Sequence, residues 1–185
     1  MKIEKNKIRK NGFTILETMV SVSLFTILIL LTGSLFSLSQ KSYTAGANEN
    51  ELTQNARVSI DRISREIRQS VEIITSLPAT STEIFFQNGH DMDQITYIRY
   101  YLDGTDLMRA HEAYYFSADP GVYVIWNGLN HLGQPPEKIM LEDRVVGEFF
   151  NNVRFWGNNN LVHILINLEK NQKQLQIQSS VFSRN

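Results

Sequence analysis

The chain has 185 residues, with 18 Lys plus Arg against 19 Asp plus Glu and no cysteine. That length leaves room for one membrane-length helix and one globular domain, not for two sizeable domains. The absence of cysteine excludes a disulfide framework and any CxxC metal or redox site, and the charge balance argues against a broad electropositive surface for nucleic acid.

Residues 1–12 form a basic leader, in which Lys2, Lys5, Lys7, Arg9 and Lys10 stand against the single acid Glu4. Residues 18–40 then carry no charge, a run of 23 residues that spans roughly 34 Å as a helix, enough for a bilayer core. Lys7, Arg9 and Lys10 just before that run predict a cytoplasmic N-terminus, with the chain after Lys41 outside the cytoplasm. A secretory signal would place a small-residue cleavage site after the apolar core, and none is found there. The sharp change in composition lies instead at Gly12. One acid, Glu17, sits at the edge of the run, where an unpaired carboxylate costs several kcal/mol to bury.

The string Gly12-Phe13-Thr14-Ile15-Leu16-Glu17, set between a basic leader and an uninterrupted apolar run, resembles the processing site of type IV prepilins and of the related pseudopilins of type II secretion and DNA uptake. The resemblance covers roughly residues 5–40. It implies cleavage by a prepilin peptidase between Gly12 and Phe13, N-methylation of Phe13, and a family role for Glu17 as the glutamate at the fifth mature position. Cleavage would place a charged Phe13 amine close to the Glu17 carboxylate. Pairing of the two, within one chain or between neighbours, offsets the cost of each charge alone and favours staggered docking of helices. The competing reading is an ordinary signal anchor whose Glu17 snorkels to the interface. Many major pilins have a proline midway along this segment, whereas this chain has Gly33-Ser34 and no proline before Pro78. Glycine costs a helix about 1 kcal/mol and proline about 3, so milder melting is expected here, which favours a minor subunit. Removing the leader takes five basic residues and one acid from the totals, leaving 13 and 18 and a formal net charge of −5.

Beyond the apolar run, Leu52, Ala56, Ile60, Ile63, Ile67, Val71 and Ile74 recur at helical spacing, predicting an amphipathic helix over residues 41–77 that stops at Leu77-Pro78. With residues 13–40 it would make one rod of nearly 100 Å. Asp61/Arg65 and Arg62/Glu66, at i,i+4 spacing, are expected to pair on the solvent face, so that the Arg57, Arg62, Arg65, Arg68 series reads as solvated and not as a nucleic-acid helix.

After Pro78 the period becomes two. Strands are predicted over residues 83–87, 94–102, 107–112 and 122–126, with Asp103-Gly104 turning one hairpin and a loop over 127–136. Residues 145–156 read as a bent or double strand broken at Asn151-Asn152, and residues 161–168 and 174–182 as a final hairpin. The predicted fold class is α+β, a pilin-like long helix packed on an antiparallel β-rich head over residues 78–185. This layout resembles J-type pseudopilins and large minor pilins, which implies a place near a filament tip.

Chemistry is sparse. His90, His111, His131 and His163 are scattered, and no zinc-protease, nucleophile-elbow, Walker or dinucleotide pattern occurs. Asp91 and Asp93 could offer oxygens to calcium, but their loop lacks the further ligands of a recognisable site, so no metal and no cofactor are expected. Tyr97, Tyr100, Tyr101, Tyr114, Tyr115 and Trp126 are expected as core or cross-strand pairs, and residues 158–160 as a hairpin tip. The expectation is a structural, non-enzymatic subunit of a pilus or pseudopilus. Its implied partners are other pilins, a prepilin peptidase, and an inner-membrane assembly platform with its ATPase. The alternative is a membrane-anchored adhesin or binding module that never polymerises.

Overall fold

The computed structural model describes residues 14–77, 80–90, 94–158 and 161–183, with the Asn158 side chain left out. Lys7, Arg9, Lys10, Gly12, Phe13, Pro78, Asp91, Asp93 and residues 159–160 lie outside the described residues. The chain divides into two compact units, Met1–Gly46 and Ala47–Asn185. One helix, α1 (Ile15–Gln69), contributes to both. Antiparallel strands follow it, giving the expected α+β, pilin-like architecture.

In the first unit every described residue from 14 to 44 is exposed. The helix passes Gly33-Ser34 without a break. In the second unit, Leu52, Ala56, Ile60, Ile63 and Ile67 form one buried stripe. They repeat every three or four residues, so they fall on one face, and each large side chain contributes about 1.5–3 kcal/mol on burial.

Two sheets cover that stripe. The first joins β1 (Glu72–Ile73), β2 (Ile84–Gln87), β3 (Thr96–Asp103), β4 (Asp106–Phe116) and β5 (Asp119–Tyr123) in that order, with β6 (Glu137–Gly147) also paired to β4. The second is β7 (Phe150–Asn158), β8 (Leu161–Lys170) and β9 (Lys173–Phe182). Val162, Ile164, Ile166 and Leu168 alternate along β8 and point inward, where they meet the helix stripe together with Phe86, Tyr100 and Phe155. Gly104, at φ +60, takes the first loop position of the two-residue β3–β4 turn, as a II′ turn requires. At Gly147 a Cβ would meet the Ser59 hydroxyl at 2.6 Å and the Phe150 ring at 2.7 Å, so glycine lets the end of β6 approach the helix.

The outer face of the first sheet carries a smaller cluster. Phe85 packs on Tyr97 and Trp126, and Tyr97 on Tyr114. The Trp126 amide donates to the Tyr97 hydroxyl at 3.0 Å, tying the loop after β5 to the sheet. Beside it Glu112, 1 % exposed, takes Lys138 at 2.9 Å and Arg99 at 3.4 Å.

Four expectations need correction. The helix stops at Gln69, not at residue 77, because Ser70 folds its amide and its hydroxyl back onto the Ile67 carbonyl. The Val71 amide then bonds Gln87, and the β-branched run after it joins the sheet as β1, leaving Val71 half exposed. Residues 137–144, read as no element, form most of β6. Its side chains are mostly exposed on both faces, so no period-two signal marks it. The break between β6 and β7 falls at Glu148-Phe149, not at Asn151-Asn152, with Phe149 at φ 70. Finally, Glu66 does not pair with Arg62. Both Glu66 oxygens accept from Arg109 Nε at 3.0 and 3.1 Å, and Tyr100 donates to Glu66 at 2.8 Å. Among the described residues Asp61 and Arg65 also form no ion pair. Burial and the adjacent Glu66 push the Tyr100 hydroxyl well above its ordinary range. Burial alone would lower Arg109, but Glu66 outweighs it and holds the guanidinium above its ordinary value.

Candidate functional site

The N-terminal turn of α1 shows why the Thr14–Glu17 segment is helical. Thr14 stands just before the first helical residue, and its hydroxyl accepts the Glu17 amide at 3.3 Å. This is one half of a capping box, with threonine at the cap and a glutamate three residues on. Glu17 also lies in the first turn, where its negative charge suits the positive end of the helix dipole. Glu17 therefore has a local reason to be present, independent of any partner.

Six of the eight Ser and Thr hydroxyls in the uncharged run are satisfied by the helix itself. Hydroxyls of Thr18, Ser21, Ser23, Thr26, Thr32 and Ser34 each bond the carbonyl four residues back, at 2.8–3.2 Å. In hydrocarbon an unbonded hydroxyl is costly, and this back-bonding removes the need for water or a partner. Between them Leu24, Leu28, Leu31 and Leu35 are all more than half exposed. An apolar surface on all sides of a helix belongs in lipid or inside an assembly, not in water. Among the described residues α1 is the one helix long and apolar enough to cross a membrane.

Residues 7–33 match the model of the prokaryotic N-terminal methylation motif. No curated protein matches the chain, and no solved structure does. The motif spans the end of the leader, the Gly12-Phe13 junction, Glu17 and the apolar run as far as Gly33. It supports a type IV prepilin-like signal, and with it processing by a prepilin peptidase and assembly with other pilins. Together with the apolar helix it fits a single-pass, membrane-anchored protein.

The remaining candidates belong to the Ala47–Asn185 unit. Tyr97 and Tyr100 are buried, Tyr101, Tyr114 and Tyr115 are half-buried, and Trp126 is 41 % exposed. His163 stacks on Trp156 and bonds the Ser180 hydroxyl at 2.7 Å. His90 and His111, distant in sequence, line one groove beside the helix. That convergence carried no sequence signal, because it depends on the β2–β3 connection meeting β4. No group of three metal-ligating side chains is found among the described residues.

Proposed function

We propose that the chain is a minor pilin or pseudopilin: a non-enzymatic subunit that is cut after Gly12, methylated on Phe13 and built into a filament whose tip it helps to start. The observation that carries this reading is the combination of the methylation motif with an α1 whose first half is apolar on every side. Such a surface must pass from lipid into an equally apolar filament core, and helix packing there supplies the driving force for assembly. The continuous helix through Gly33 and the large β-rich head support a minor role, since a bulk subunit gains from a compact repeated domain. In this reading the N-terminus faces the cytoplasm, the head lies outside it, and an assembly platform with an ATPase extracts the subunit.

Glu17 sets the register by pairing its charge with the Phe13 amine, its own or a neighbour's. The capping geometry dictates the right test. Gln can replace Glu in a capping box but carries no charge, so Glu17→Gln separates the two roles. The expected outcome is normal membrane insertion with loss of the subunit from sheared filaments. Incorporation at the wild-type level would show that Glu17 serves only the helix start. A processed subunit that never enters the sheared fraction, even with Glu17 intact, would favour the non-polymerising anchored module.

A further inference from the structure

The head contains a groove of about 620 Å³ between the last helical turns and the first sheet. Its volume lies within the range of small-molecule sites, roughly 300–1,000 Å³. The floor is formed by Ile98, which is buried, and by Arg109, which is 8 % exposed. One wall carries Arg62 and Arg65 from the helix, and His90 stands on the rim. Among the described residues Glu66 is the one acid in the lining, and both its oxygens are already held by Arg109. Arg62 and Arg65 take part in no ion pair among the described residues. Among the described residues the groove thus presents two guanidinium groups that no acid pairs, because the acid expected to neutralise Arg62 has been drawn to Arg109.

Arg62 and Arg65 are three residues apart on one helix, which puts their Cβ atoms about 5–6 Å from each other. A planar carboxylate is satisfied by a single guanidinium fork. A phosphate group has three acceptor oxygens and a charge of about −1.5 to −2, enough for two forks at once. We infer that the groove between Arg62, Arg65 and His90 is a binding site for a small ligand carrying phosphate groups, with the two arginines as its clamps. The site lies wholly in the Ala47–Asn185 unit and does not depend on the pilin reading.

The test is calorimetric titration of the full chain in detergent micelles with pyrophosphate as the probe and citrate as the competing anion. Pyrophosphate is expected to bind saturably at one site. Arg62→Gln with Arg65→Gln should weaken it by more than about tenfold, since each charge-assisted bond lost is worth that much. Arg57→Gln with Arg68→Gln makes the same charge change on the same helix outside the groove lining, and should leave binding close to wild type. An unchanged thermal unfolding midpoint in both pairs shows that the heads remain folded. The proposal is overturned if pyrophosphate gives no saturable heat, if citrate binds as tightly, or if the Arg57 and Arg68 changes weaken binding equally.

Discussion

The two halves of α1 obey the same helical geometry in opposite surroundings. Residues 18–40 carry no charge and are exposed, and six of their eight Ser and Thr hydroxyls are bonded to their own backbone. Residues 52–67 are apolar on one stripe only, and that stripe is buried under two sheets. The difference shows that helix propensity decides neither half. The second is held by tertiary packing, whereas the first is packed against none of the described residues and needs lipid or other helices to cover it.

The sharpest way to break the comparison is a matched pair of truncations. Ile63→Ala removes a fully buried side chain and should cost the head about 3–4 kcal/mol, read by denaturant unfolding of the full chain in micelles. Leu28→Ala removes a similar side chain that is 61 % exposed, and should leave that transition unmoved. A shift with Leu28→Ala would mean that the two halves share one stability. A smaller loss is expected from Glu66→Ala, about 2–3 kcal/mol, because it leaves Arg109 Nε and the Tyr100 hydroxyl without their acceptor at a largely buried site, while Arg109 keeps Glu142 at 2.9 Å. Arg62, free of Glu66 in the structure, should contribute nothing comparable, and an Arg62→Ala loss as large as that of Glu66→Ala would return the ion pair to the helix surface.

How far the sequence reveals all this depends on whether the signal is local. The leader, the Gly12-Phe13 junction and the apolar run are contiguous, and the motif match over residues 7–33 reads the same stretch. The stripe from Leu52 to Ile67 was equally legible, because burial on one helix face leaves a periodic trace. Val71 and Ile74 continued that trace on paper, but the Val71 amide has a better partner in Gln87 at the end of β2, beyond the reach of any i,i+4 rule. The Arg109–Glu66 bond joins residues 43 apart, and the local i,i+4 rule pointed to Arg62 instead. β6 escaped because Lys138, Glu142, Asp143 and Arg144 interrupt any alternation of apolar side chains. The groove at Arg62 and Arg65 follows from that same long-range bond, so it too was hidden.

The smallest expected effect sharpens the contrast between hydroxyls. In the first half Thr18, Ser21, Ser23, Thr26, Thr32 and Ser34 bond their own backbone, whereas the buried Ser64 hydroxyl in the second half has no hydrogen-bond partner among the described residues. Ser64→Ala should therefore leave the head equally stable or stabilise it by about 1 kcal/mol in the same unfolding experiment. A loss above about 1 kcal/mol would show that the hydroxyl has a partner.

Mass spectrometry of the mature N-terminus, in cells with an active prepilin peptidase, tests the central claim most directly. The account predicts a chain beginning at Phe13 with one N-methyl group and no trace of residues 1–12. A chain that keeps its leader, or one cut after the apolar run, would contradict it.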